Sequence, residues 1–274
     1  MVRAEAVREQ FDADSRTYLA RYSTPLIKKQ NQRLVRLVGG RKKCDTVLDI
    51  GCGPGTMAQE LLTVGEEVYG LDISPAMIAK ARHEASRMEQ GGRLHFQVGD
   101  AECLPFPDQY FDAVVCAGVL RYLSSWKKGV DEVSRVLKPN GVVVMTFYWK
   151  FSLQWFAMCF LYRPLLPLIS LIKGRSVKEC LLRYKAEPLP LSYRKVKGKC
   201  RAAGFADLQT QHAGFDVFPF NRIFERWATR LSWMLEDAWF DSNWLGWLGS
   251  ICVVKAVRSP IGQLRADDRV ALSR

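Results

Sequence analysis

The sequence predicts an α/β protein built on a mostly parallel sheet with crossover helices. Three observations predict it. From about 44 to 148, short β-branched runs alternate with helical patterns, a rhythm that places helices on the faces of a parallel sheet. Three glycines, Gly51, Gly53 and Gly55, stand directly between the first strand and the first helix. An acid, Asp72, closes the second strand about twenty residues further on.

Taken in order, residues 1–38 read as a helical cover over the sheet edge or the site mouth. "CDTVLDI" (44–50) is the first strand, "GTMAQELL" the helix behind the glycines, and "EEVYGLDI" (66–73) the second strand. Ser74 and Pro75 then supply an N-cap and a first-turn proline to a helix with Met77, Ile78 and Ala81 on one face. "RLHFQVGD" (93–100) and "FDAVVCA" (111–117) are strands three and four. "SSWKKGVDEVSRVL" (124–137) is a helix stopped by Pro139, Asn140 and Gly141, and "GVVVMTFY" is strand five. The rhythm breaks after 150 and resumes with a helix over 192–205, a strand over 206–215 and a last strand over 248–258. The expected organisation is a helical cover (1–38), a cofactor-binding core (39–149), an inserted cap (150–191), the second half of the sheet (192–258) carrying an aromatic lid segment (216–247), and a loose polar tail (259–274).

The 274 residues, 48% of them hydrophobic, suffice for a substantial core. The first ten residues, "MVRAEAVREQ", hold no apolar h-region, so a cytoplasmic address is expected. Eight cysteines are scattered without a C-x-x-C pair or a histidine at ligand spacing, which argues for reduced thiols and against a disulfide framework or a metal site. The net charge of +12 is unevenly spread: Lys150 to Lys199 hold eleven Lys or Arg against two Glu. An anionic membrane surface, RNA or an acidic substrate would each be attracted to that segment, and so would nothing at all if it is a solvated basic face.

The glycine loop "VLDIGCGPG" lets a ligand lie against bare backbone, and Asp72 stands where a carboxylate accepts from both hydroxyls of a ribose. The ligand is therefore a nucleoside. A pyrophosphate site carries G-x-G-x-x-G, but here the spacing is G-x-G-x-G with Thr56 at the third glycine's position. Asp49 precedes the loop, where it suits a cationic ligand better than a phosphate. S-adenosylmethionine, with a positive ammonium and a positive sulfonium, fits those constraints.

Through "VLDIGCGPG", "GLDIS", "GDAECLPFPDQYFDAVVCAGVLRYL" and "EVSRVLKPNGVVV", over roughly 44–145, the sequence resembles the class I S-adenosylmethionine-dependent methyltransferases, particularly the group that holds the quinone and biotin-pathway enzymes. "FDADSRTY" (11–18) also resembles that family's F-D-x-x-A-x-x-Y segment, with Ser15 in place of the small apolar residue. The resemblance implies a Rossmann-like sheet with an antiparallel last strand. It also implies that Asp49, Gly51 and Gly53 line the methionine moiety, Asp72 holds the ribose, and Ile73 and Met77 flank the adenine. Asp100 would bond the exocyclic amine beside the backbone of Ala101, with Cys116 near the methionine end and Tyr18 closing over the cofactor. Cys52 and Gly55 in the loop, and Glu102 beside Asp100, complete the implied cofactor set.

Methyl transfer is an in-line displacement, so positioning and exclusion of water can supply most of the rate, and a base is needed only where the nucleophile loses a proton. The histidine that many relatives carry after strand four is absent, and "VLRYL" with Arg121 and Tyr122 stands there instead. Those two are expected to orient a substrate oxygen. His83 reads as solvent-facing, His95 as structural, and His212 as the candidate base.

The apolar stretch 151–175 has nearly membrane length, but Arg163, Pro164 and Pro167 break it near its middle. Two short helices over the substrate mouth are expected rather than a span. Ile223, Phe224, Trp227, Leu231, Met234 and Leu235 recur at helical spacing, and five of the eight tryptophans lie between 227 and 247. The expected protein is thus a methyltransferase for a small hydrophobic substrate such as a polyketide, isoprenoid, quinone or lipid-linked intermediate, yielding S-adenosylhomocysteine, with peripheral contact to an anionic membrane. An RNA methyltransferase using the basic cap and a non-catalytic accessory protein on the same fold stay open as alternatives, although nucleic acid is not the expected partner. A homodimer is one outcome the sequence leaves open.

Overall fold

The apolar run Cys44–Ile50 forms strand β1 at the centre of the sheet in the computed structural model, which describes residues 2–22, 25–39, 43–148, 191–213 and 251–260. Val47, Leu48, Asp49 and Ile50 are all buried, as a strand covered on both faces requires. β1 pairs in parallel with β2 (Gly65–Asp72) on one side and β4 (Phe111–Ala117) on the other. β3 (Leu94–Val98) pairs in parallel with β2, and β5 (Leu137–Tyr148) with β4. With β6 (Phe205–Ala213) and β7 (Ile251–Arg258) the described residues make a seven-stranded sheet of order β3-β2-β1-β4-β5-β7-β6, mixed through one antiparallel strand. The expected α/β class is borne out.

Helices join the strands. α1 (Val2–Tyr22) and α2 (Pro25–Val38) precede the sheet; α2 buries Leu34, Val35 and Val38. α3 (Thr56–Leu61) follows the glycine loop, and α4 (Pro75–Ser86) buries Met77, Ile78, Ala81 and Ala85. Ser74 caps α4 as its sequence position predicts, its Oγ accepting from the Met77 amide at 3.1 Å. α5 (Trp126–Val136) is capped by Ser125 and buries Val130, Val133 and Val136, each worth about 1.5–3 kcal/mol of transfer free energy. α6 (Tyr193–Ala202) leads into β6.

Several element boundaries shift from the expectation, most by one to three residues, and those of β5 and β3 have a visible cause. β5 begins at Leu137 rather than Gly141: Leu137 pairs with Phe111, and the ladder then shifts register before Ala113 meets Val142. Lys138 to Gly141 form the irregularity, with Asn140 at φ 65°, so the proline and glycine bend the strand instead of preceding it. β3 ends at Val98, whose pairing with Asp72 is closed by the Gly99 amide on the Asp72 carbonyl (2.9 Å); beyond it the chain turns, and Asp100 bridges to Cys103.

The chain divides into two compact units, one of Met1–Thr146, Arg194–Gln209 and Val254–Arg274, the other of Phe147–Tyr193 and Thr210–Val253. The apolar stretch 151–175, the aromatic segment 216–247 and the tail from 261 onward, on which the cap and lid expectations fall, lie outside the described residues. Among the described residues no helix is long and apolar enough to cross a membrane. Cys44, Cys52, Cys103, Cys116, Cys200 and Cys252 are free thiols.

Candidate functional site

The loop between β1 and α3 is held in a conformation that only glycine adopts easily. Gly51, Gly53 and Gly55 have φ of 71°, 52° and 84°. Backbone bonds tie the loop to β2: the Gly51 and Cys52 amides donate to the Leu71 carbonyl at 2.7 and 3.1 Å. The three glycines do different work. A Cβ on Gly51 would sit 2.2 Å from Val119 Cγ2, and one on Gly55 would sit 2.9 Å from the Phe96 ring, so both positions are filled by packing. A Cβ on Gly53 would come no nearer than 3.6 Å to the Tyr18 ring, an ordinary contact, so of the three only Gly53 could carry one without a collision. Cys52 turns its buried thiol towards Gly70 of β2, leaving its backbone to the loop.

Two acids flank this loop. Asp49, at the end of β1, is 1% exposed, and its Oδ2 has no hydrogen-bond partner among the described residues. Burial, reinforced by the nearby charge of Asp72, pushes its carboxyl up to about 8, against the pull of the Ala58 amide. Asp72, at the end of β2, accepts from the Gly53 amide through Oδ2 and from the Ser74 amide through Oδ1, both at 2.9 Å. Burial raises its pKa, and these amides oppose the rise. Two buried carboxyl groups therefore flank the loop, and one Asp49 oxygen has no partner among the described residues.

Helix α1 brings Tyr18 beside Gly53 and Phe11 against the Tyr122 ring, centroids 5.1 Å apart at 81°. Tyr122 lies in the turn after β4, its amide donating to the Val119 carbonyl at 2.8 Å. Arg121 Nη2 donates to the Tyr122 hydroxyl at 2.6 Å, and the guanidinium lies 4.7 Å from the ring centroid. Cys116 is fully buried at the end of β4, where burial and the Asp49 charge push its thiol up to about 12. At the end of β3, Asp100 Oδ1 accepts from the Glu102 amide at 2.8 Å, and Ala101 is buried. Glu102 turns its carboxylate to the Ser124 and Ser125 amides at the start of α5. Ile73 is half-buried, whereas Met77 is in the core on α4.

The structure thus gathers Tyr18, Asp49, Gly51, Gly53 and Asp72 around one loop, with Cys116 beside Asp49. His212 is half-buried near the end of β6 in the second unit, and burial lowers its imidazole pKa. His83 is exposed, and His95 bonds Glu67 Oε2 at 2.6 Å on the surface. Sequence reasoning missed Val119, which packs on Gly51, and Thr146, whose buried Oγ1 accepts from the Gly118 amide at 2.8 Å and fixes the turn after β4. It also passed over Asp12, which accepts from Ser74 although it lies inside the quoted "FDADSRTY". A single residue type 62 positions from its partner gives no local signal.

The geometry fits S-adenosylmethionine: a buried Asp49 oxygen without a partner among the described residues suits a cation, on the strand that leads into a glycine loop faced by the Tyr18 ring. Comparison with known proteins agrees. Residues 48–145 match the family described as a methyltransferase domain. Over that segment, about a third of its length, the chain is similar to methyltransferase domains. Among particular relatives, the demethylmenaquinone methyltransferase of Desulfitobacterium hafniense (strain Y51) is 40% identical over 102 residues, 36% of this chain and 40% of that protein. The probable methyltransferase ltbC of Aspergillus luteorubrus is 35% identical over 141 residues, 46% of this chain and 50% of its own. The chain thus spans half or less of the length of these curated relatives. The fold also matches a Haloferax volcanii complex between the Trm112 methyltransferase activator and a putative methyltransferase, with TM-score 0.62, 22% identity, and coverage of 93% of this chain and 98% of that one.

Proposed function

We propose that the protein transfers a methyl group from S-adenosylmethionine to a hydrophobic small molecule, a quinone, isoprenoid, polyketide or lipid-linked intermediate, at or near an anionic membrane surface. The observation that carries the cofactor half is the buried Asp49 carboxyl with an oxygen unsatisfied by the described residues, on the strand that leads into a glycine loop faced by the Tyr18 ring. Asp49, Gly51 and Gly53 would hold the methionine moiety, with Asp72 on the ribose, Ile73 and Asp100 on the adenine, and Tyr18 over the whole. Met77, Cys52, Gly55 and Glu102 would support those contacts from behind, since their side chains or their Cβ positions are already taken up by the protein. When bound, S-adenosylmethionine supplies an electrophilic methyl group on a positively charged sulfur.

The chain's own residues would then position the acceptor and exclude water. Arg121 can only donate, so the Tyr122 hydroxyl accepts from it and keeps its own proton for another acceptor. That pair would orient a substrate oxygen. His212, whose imidazole pKa burial lowers, would take a proton where the nucleophile must lose one. The apolar stretch 151–175 with its basic flank, and the quinone-pathway name of a relative, support a greasy acceptor.

The test is to incubate the protein with methyl-labelled S-adenosylmethionine and extract from its native host, then partition the label. Label in the organic phase supports the reading. Label confined to RNA would replace the apolar segment by the basic flank as the recognising surface, and no label in any fraction, with no S-adenosylhomocysteine formed, would leave a non-catalytic role.

A further inference from the structure

We infer that Asp12 is a positioning residue for the cofactor site, joining helix α1 to the start of α4 so that Tyr18 and Asp72 are held by one polar assembly. This rests on the cofactor reading above. Asp12 Oδ1 accepts from Ser74 Oγ and from the Ala76 amide, the latter at 3.3 Å. Ser74 is wholly buried, and its Oγ already accepts from the Met77 amide, so its single proton is available to Asp12. The Ser74 amide in turn donates to Asp72 Oδ1, while Asp72 Oδ2 takes the Gly53 amide. Asp12, Ser74, Asp72 and Gly53 therefore form one continuous chain of bonds from α1 to the glycine loop.

Further bonds tie helix α1 to α4 around Ser15, which is buried. Ser15 Oγ donates to the Asp12 carbonyl at 2.7 Å, and Lys80 Nζ of α4 donates to the Ser15 carbonyl. Six residues beyond Asp12, about 9 Å along a helix, Tyr18 stands against Gly53. An anchor at Asp12 fixes where that ring lies, and the Asp12 carboxylate also supplements the N-terminal cap of α4 from a distant segment.

Both partners use the same oxygen of Asp12, which gives a sharp test by titration calorimetry with S-adenosylhomocysteine. Asp12→Ala should weaken binding about tenfold, as loss of a charge-assisted bond does. Asp12→Asn keeps an acceptor at that position and should stay within about threefold of the wild type. Ser74→Ala should also cost about tenfold, and the double variant Asp12→Ala with Ser74→Ala should lose clearly less than the product of the two single losses, since the bond between them is counted once. Unchanged binding by Asp12→Ala overturns the inference, and so does an equal loss in Asp12→Asn, which would mean that charge rather than the bond matters. Failure of the wild type itself to bind would overturn the cofactor reading and this inference with it. Should Asp12→Ala not fold, the Ser74→Ala and Asp12→Asn results decide by the same criteria.

Discussion

Replacing Asp49 by Asn removes a charge that the folded protein holds at a disadvantage. Its ordinary carboxyl pKa of 3.8 is raised to about 8, first by burial and then by Asp72. Between those values the folded chain keeps a proton that the unfolded chain has lost, so stability is greatest below about pH 4 and falls as pH rises towards 8. From pH 5 to pH 8 the ceiling on that loss is about 4 kcal/mol, at 1.36 kcal/mol per pH unit. Buried sites respond as if in a dielectric near 20, which brings the expected loss to about 1–3 kcal/mol. Asp49→Asn has no such titration. Its melting temperature relative to wild type should therefore rise by about 3–8 °C between pH 5 and pH 8, while its affinity for S-adenosylmethionine at pH 8 should fall at least tenfold, about 1.4 kcal/mol or more. Thermal unfolding in paired buffers and calorimetry read both quantities. A melting difference that is constant from pH 5 to pH 8 would refute the assignment of a buried, proton-holding carboxylate.

The same carboxyl makes cofactor binding proton-linked: a cation seated against it favours the ionised form, so at pH 7 binding should release close to one proton, visible as a dependence of binding heat on buffer ionisation enthalpy. The glycines should separate stability from binding. Gly51→Ala drives a Cβ into Val119 and should cost about 1–3 kcal/mol of stability, whereas Gly53→Ala should lose about 1 kcal/mol or less and weaken cofactor binding more than tenfold. Asp72→Ala removes the acceptor for two amides and, on the proposed reading, for the ribose, and should weaken cofactor binding by about 1–3 kcal/mol, measured by calorimetry. Tyr122→Phe should leave cofactor affinity unchanged and lower turnover of an oxygen acceptor by about ten- to a hundredfold, read from S-adenosylhomocysteine formation.

Much of the site was legible because its signals are local. The glycine spacing, the acid that ends β2 and the Ser-Pro cap each involve residues within a few positions of one another, where backbone sterics and hydrogen bonding act directly. The boundaries of β3 and β5 were less legible. Gly99 and Pro139 read as punctuation, but pairing with Asp72 and Phe111 decided whether the strand stopped there or bent.

The sequence by itself determined the order of strands and helices, the glycine loop with its flanking acids and the class of cofactor they suit, since alternation of apolar residues and the φ demands of a tight turn act within a short window of chain. Only the tertiary structure decided which side chains are taken up by packing and by hydrogen bonds within the protein. A Cβ would collide with Val119 at Gly51 and with Phe96 at Gly55, but not at Gly53, where it would only touch the Tyr18 ring. Likewise Glu102 was drawn to the backbone of α5, and Asp12 to Ser74 across 62 residues. Burial and satisfaction of polar groups depend on what arrives from elsewhere in the chain, and no local pattern records that.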